Sequence, residues 1–130
     1  DDVITDFTVG TDNIDVNVTL VDQATAANAL VYQAGAANTV IAGTTTVFEL
    51  TGVATGGTAA NLVTALGTSA TNTTIDAGDT FLIANYLTGG GAQIWSFVDA
   101  DGASVAAGEL TLQLTLNDVA ADALVTGDFI

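Results

Sequence analysis

Four leucines at every second position restrict this chain more than any other feature. Leu110, Leu112, Leu114 and Leu116 alternate with Thr111, Gln113 and Thr115. Successive side chains of a strand point to opposite sides, so this spacing predicts a half-buried strand. Two further runs lead into it, Asp79 to Tyr86 and Gln93 to Val98, joined by Leu87-Thr88-Gly89-Gly90-Gly91-Ala92. The glycines of that connection tolerate the positive φ that a hairpin loop needs. The second connection is Asp99-Ala100-Asp101-Gly102. The pattern predicts an antiparallel meander over 79–116 that holds the single Trp, Trp95, together with Phe81, Tyr86 and Phe97.

The remaining elements follow from the same periodicities. Ile14, Val16, Val18 and Leu20 alternate with polar residues and predict a strand over 13–21. Short strands are expected at 29–32, ended by Ala34-Gly35, and at 45–51, with a brief edge piece at Val40-Ile41. Between Thr58 and Gly67 the period changes: Ala59, Leu62, Val63 and Leu66 fall at i, i+3, i+4 and i+7. Thr58 suits the N-cap and Gly67 the residue just past the C-terminus, so one short amphipathic helix is expected at 58–67, its apolar stripe on the sheet. Residues 68–74 read as a polar loop, 76–79 as a turn, and 117–124 as one helical turn. The fold class is mainly β: an antiparallel β-sheet or sandwich, in a single domain spanning 1–130, with that helix packed on it.

Charge bounds what the domain can do. The chain has fifteen Asp and Glu and no Lys, Arg or His, for a net charge of −15. Only 12% of residues are charged, less than the usual quarter, so the imbalance comes from missing bases rather than added acids. That argues against an acid-enriched, salt-adapted composition. No ion pair between side chains can form. Any buried carboxylate must be held by backbone N–H groups or a metal, or carry a proton. Nucleic acid and anionic membranes are read through Lys and Arg and are poor partners. Copies of the chain repel one another unless cations or neutral surfaces intervene.

The same absences remove most catalytic apparatus. Without His and Cys there is no imidazole-activated nucleophile and no imidazole or thiolate metal site. Without Lys and Arg there is no Schiff base and no phosphate clamp. Gly89-Gly90-Gly91 lies between two strands and is no phosphate loop. No enzyme is expected. With Cys absent there are no disulfides, and no apolar run is long enough to span a bilayer. Asp1 stands where an initiator Met would, and Met is absent altogether, so a processed or excerpted piece of a longer product is expected.

The first fifteen residues carry a family likeness. Asp2-x-Ile4-x-Asp6-Phe7-x-x-Gly10-x-Asp12-x-Ile14-Asp15 resembles the segment that follows the calcium-binding nonapeptide repeats of RTX-type exoproteins and surface-layer proteins, which leave bacteria by type I secretion. The resemblance implies that Asp2 is a calcium ligand closing the last turn of an upstream parallel β-roll, and that Ile4, Phe7 and Ile14 pack as its cap. The repeats themselves, Gly-Gly-x-Gly-x-Asp, are absent. The ending Asp128-Phe129-Ile130 is similar to the acidic-then-apolar tail of type I secretion substrates, and the Thr/Ala/Gly-rich composition is associated with secreted bacterial surface proteins. The likeness implies an extracellular, cell-surface location.

The densest polar chemistry lies at Asp99, Asp101 and Gly102, with Glu109 further on. Ca²⁺ takes several hard oxygens, and alternating Asp around a Gly turn aims carboxylates at one point. The EF-hand spacing is not met. The competing reading is a loop whose Asp side chains bond their own backbone. Asn17-Val18-Thr19 and Asn72-Thr73-Thr74 are glycosylation sequons of a kind that arises by chance in Thr-rich sequence.

Three functions stay open at this point. The first is a structural module that assembles with copies of itself in a surface layer or fibre, with divalent cations offsetting the charge. The second is a C-terminal cap and secretion module of a larger calcium-dependent exoprotein. The third is an adhesin or glycan-binding domain using Trp95 and Tyr86.

Overall fold

The structure is a computed structural model that describes residues 2–16, 30–71, 76–102 and 104–130. Among the described residues the strands are β1 (Asp2–Ile4), β2 (Tyr32–Ala36), β3 (Val47–Thr55), β4 (Thr80–Leu87), β5 (Ala92–Val98) and β6 (Leu110–Leu116), with one α-helix, α1 (Ala59–Leu66). The strands form one sheet in the order β1-β6-β5-β4-β3-β2. The chain is mainly β with one short helix against it, as its periodicities predict. The meander is present: β4 pairs antiparallel with β5, and β5 with β6. The flanking pairs, β1 with β6, β2 with β3 and β3 with β4, are parallel. The sheet is therefore mixed, antiparallel at its centre.

Both faces of the sheet are covered. One side packs Phe48, Leu50, Phe81, Ile83, Trp95, Phe97 and Leu110 against Leu62 and Leu66 of α1. The other packs Val47, Leu82, Ala84, Tyr86, Ile94 and Leu116 against Ile14 from the N-terminal segment and Val119, Leu124 and Phe129 from the C-terminal one. Double burial explains why β4 reads Phe81-Leu82-Ile83-Ala84 with no polar alternation.

The helix forms as its sequence implies. Thr58 caps it by accepting from Asn61 N–H, and the Gly67 N–H closes on Thr64 C=O at φ +60. A 3₁₀ turn, Gly67–Ala70, continues it.

The four leucines do not share one face. The β5–β6 register shifts between Ile94 and Trp95, whose partners are Leu114 and Leu112. Gln113 is the extra residue of a β-bulge, and a one-residue insertion turns every later side chain over. Leu110 and Leu112 thus face the helix layer, while Leu114 and Leu116 face the terminal segments.

Other expectations shift. The strand expected at 29–32 runs from Tyr32 through Ala36, because an edge strand needs no apolar alternation and Gly35 lets the Thr39 side chain lie where a Cβ would sit. The strand expected at 45–51 begins at Val47 and continues to Thr55 through Gly52 at φ +71. Residues 117–124 form two tight turns with Asp118 and Asp122 at positive φ rather than a helical turn. Of the strand expected at 13–21, Ile14 makes a parallel bridge to Phe129, and 17–21 lie outside the described residues, as do both sequon asparagines. Among the described residues no helix is long and apolar enough to cross a membrane.

Candidate metal centre

β5 ends at Val98 and β6 begins at Leu110, so the connection between them starts with Asp99 and ends with Glu109 beside the sheet. Backbone pairing anchors the near end. Asp99 N–H donates to Asp79 C=O at 2.9 Å, and Gly78 N–H donates to Asp99 C=O at 2.8 Å. Asp99 is 3% exposed. Its Oδ1 accepts from Asp101 N–H at 3.0 Å and Gly102 N–H at 2.7 Å, an Asx turn that Gly102 permits at φ +73. Glu109 spans the far end: Oε1 accepts from Ala100 N–H and Oε2 from Ala106 N–H, each at 2.9 Å, which caps the 3₁₀ turn Ala107–Glu109.

The fold thus brings together three of the residues that the sequence singles out. One carboxylate oxygen each from Asp99, Asp101 and Glu109 lies within 4.8 Å of the others. Oxygens on opposite sides of one Ca²⁺ stand about 5 Å apart at Ca–O distances of about 2.4 Å, so the span fits a single ion. Three carboxylates are fewer than the six to eight oxygens that Ca²⁺ takes, and Asp99 Oδ1 and both oxygens of Glu109 already serve backbone N–H groups. The loop-capping reading and the metal reading use the same carboxylates. The geometry is compatible with a divalent cation completed by water, and the loop holds its shape through its own hydrogen bonds.

Asp2 is not part of this group. It is exposed at the start of β1 and aligned with Leu114 of β6. That is four residues along β6 from Leu110, or roughly 13 Å at about 3.3 Å per residue. Ile4 and Phe7 pack against the second core and Ile14 is buried in it, so these three cover this domain's own sheet.

Trp95 and Tyr86 are 5% and 1% exposed. Neither offers a face on which a sugar could stack. The Trp95 indole N–H donates to Asn85 Oδ1 at 2.8 Å, and Asn85 in turn donates to Thr55 Oγ1 at 2.6 Å, so the polar edge of the ring is consumed inside the core. A pocket of about 310 Å³ does open at the C-terminal ends of β3 and β4, walled by Thr55, Gly57, Leu87, Gly90 and Gln93. Gln93 Oε1 is buried there with no hydrogen-bond partner.

Sequence reasoning missed two buried carboxylates. Glu49 is 3% exposed in β3. Its Oε2 accepts from the Tyr32 hydroxyl at 2.5 Å and its Oε1 from the Tyr86 hydroxyl. The Tyr86 oxygen also accepts from Leu124 N–H at 2.9 Å. Burial first, then the hydrogen bond to Glu49 and its negative charge, push both phenols well above the usual tyrosine range. Asp128 is fully buried; it accepts from Gly10 N–H at 2.6 Å and Val125 N–H at 2.8 Å. A Glu set between Phe48 and Leu50 in a chain without bases was the available signal for the first. Nothing local marks the second, because Gly10 is 118 residues away.

No protein-family model, curated protein or solved structure matches the chain.

Proposed function

We propose that this domain is a non-enzymatic, extracellular structural module of a bacterial surface layer or fibre that assembles with copies of itself, with divalent cations, Ca²⁺ foremost, offsetting the charge between copies. The observation that carries this reading is the division of charge between interior and surface. Glu49, Asp99 and Asp128 are buried and each closes on donors within the chain. Asp2, Asp6, Asp12, Asp15, Asp76, Asp101, Asp118 and Asp122 are exposed, with no positive side chain anywhere to answer them. Two such surfaces approach only through uncharged contacts or with cations between them.

The sheet supplies a route for contact. Among the described residues its order ends at β1 on one side and β2 on the other. These edges differ, so pairing β1 of one copy with β2 of the next is heterologous and propagates as an open fibre or layer instead of closing into a dimer. β1 carries exposed Asp2 and Val3, a short acidic edge that repels partners unless a cation is present.

The test is electron microscopy of the purified chain in low salt, with Ca²⁺ and after chelation. Ordered filaments or sheets that dissolve on chelation and return with Ca²⁺ support the reading; dispersed particles under every condition refute it. The N-terminal likeness supports a second reading, a cap and secretion module following calcium-binding repeats. That reading expects a monomer whose stability rises when the upstream repeats are fused to it and loaded with Ca²⁺.

A further inference from the structure

The two ends of the described chain are fastened to each other. Ile14 N–H donates to Asp128 C=O at 2.6 Å, Ile130 N–H to Ile14 C=O at 3.0 Å, and Val16 N–H to Ile130 C=O at 2.7 Å. These bonds form a parallel ladder in which Ile14 stands opposite Phe129. Side chains reinforce it: Gly10 N–H donates to Asp128 Oδ1 and the Asn13 amide to Gly127 C=O. Ile14 and Phe129 are both buried, and the Phe129 ring packs on Tyr32 at 5.7 Å between centroids. The second contact of the N-terminal segment has the same sense, since β1 runs parallel to β6 and Asn117 N–H donates to Ile4 C=O at 2.9 Å.

Parallel pairing decides how such a fastening meets tension. In a parallel pair, the start of one strand lies beside the start of the other. Tension drawing the chain out before Ile14 and after Ile130 therefore pulls at opposite ends of the ladder. The bonds then lie across the line of force, share the load and must give way together. In an antiparallel pair the same pull would act at one end and open the bonds singly. Each N-terminal contact named here is with a strand late in the chain, so both are loaded in shear.

We infer that this domain is a force-bearing module whose terminal ladder, 14–16 against 128–130, is a mechanical clamp resisting tension applied through its two ends. The inference deepens the structural role proposed above, where a domain embedded in a layer or fibre transmits load between neighbours. Burial of Asp128 fits the same role: its two carboxylate oxygens tie Gly10 and Val125 and so brace the chain just before both halves of the ladder.

The chain has no cysteine, so an introduced pair defines where force enters. Handles at Thr11→Cys and Ile130→Cys load the ladder from opposite ends. Handles at Thr11→Cys and Thr126→Cys load the same ladder from one end. All three positions are exposed, and circular dichroism of each double variant checks the fold. Force spectroscopy at constant force then compares unfolding rates. Three backbone bonds broken together, at roughly fivefold in rate each, predict that the 11/130 pair unfolds on the order of a hundredfold more slowly than the 11/126 pair. Equal rates in the two geometries overturn the clamp and leave the assembly reading standing. Slow shear unfolding, in a chain that stays dispersed in micrographs, refutes assembly and leaves the clamp.

Discussion

Replacing Tyr86 by Phe tests how this fold keeps a carboxylate buried without a base. The ring stays and only the hydroxyl goes. Glu49 loses one of its two phenol donors, and Leu124 N–H loses its acceptor. A hydrogen bond to a charged group contributes about 1.5–3 kcal/mol, and stranding a buried N–H costs about 1–3 kcal/mol. The variant should be roughly 3–5 kcal/mol less stable at pH 7, a large part of the 5–15 kcal/mol usual for a domain. Alkaline pH gives a sharper reading. The chain has no Lys, Arg, His or Cys, so its two tyrosines are the only side chains that titrate between about pH 7 and 12. Both phenols are raised in the folded state. The native state therefore keeps two protons that the unfolded chain releases near pH 10. Their contribution is fully present below about pH 10 and is lost as pH climbs towards the folded values. The slope is about −1.4 kcal/mol per pH unit for each phenol, or about −2.7 for the pair. Urea unfolding followed by Trp95 fluorescence from pH 7 to 12 measures it, with tyrosinate absorbance as an independent record. Tyr86→Phe should halve the slope. An unchanged slope in the variant, or wild-type stability that stays level beyond pH 11, would refute the reasoning.

Gly91→Ala should destabilise by about 2–3 kcal/mol, because Gly91 sits at φ +92 and a Cβ there would meet Leu116 C=O at 2.6 Å; thermal unfolding checks it. Asp128→Asn turns one accepting oxygen into an NH₂ that faces an N–H donor, and should cost about 1.5–3 kcal/mol, with amide exchange quickening at Gly10 or Val125. Thr58→Ala removes the cap of α1 and should cost about 1 kcal/mol, read as a lower urea midpoint with unchanged m-value. Asp101→Asn removes one charged oxygen from the acidic triad while sparing the loop-capping bonds of Asp99 and Glu109, so the Ca²⁺ needed for assembly in a sedimentation assay should rise about tenfold. The same Ca²⁺ requirement in variant and parent would remove the triad from the proposal.

Legibility followed the range of the interactions. The helix from Ala59 to Leu66 was readable to within a residue because its stripe, its Thr58 cap and its Gly67 terminator are all local. The β4–β5–β6 meander was readable because its connections are short and each strand carries its own pattern. The parallel pairing of β1 with β6 joins Ile4 to Leu116 across more than a hundred residues, and no period within either segment records it. Leu110 to Leu116 misled in an instructive way. Perfect alternation says that one face is apolar, yet the bulge at Gln113 presents two leucines to each of two cores. A sheet buried on both sides rewards apolar residues whichever way they point, so alternation loses its meaning there. At the candidate site, Asp99 and Asp101 stood out because alternating Asp flank the Gly102 turn, and the fold brings Glu109 to within reach of both. Asp2 was singled out only through the family likeness, as a ligand to an upstream roll, and the register of β1 places it opposite Leu114 and apart from the triad.

The absence of bases has different consequences inside and outside the fold. Inside, the chain answers each buried carboxylate with donors that carry no charge: phenols at Glu49, loop N–H groups at Asp99, and N–H groups from both terminal segments at Asp128. Such donors are fixed by the backbone path, so each carboxylate also holds two pieces of chain at a set distance. Asp128 holds the ladder, and Glu49 holds β2 and β4 beneath the Leu124 turn. None of these arrangements calls for a metal ion to complete the fold. The need for cations proposed here therefore falls on contacts between copies, where exposed carboxylates meet with no positive side chain to answer them. Under that division chelation separates the copies and leaves each one folded, whereas alkali acts on the phenols and unfolds the domain itself.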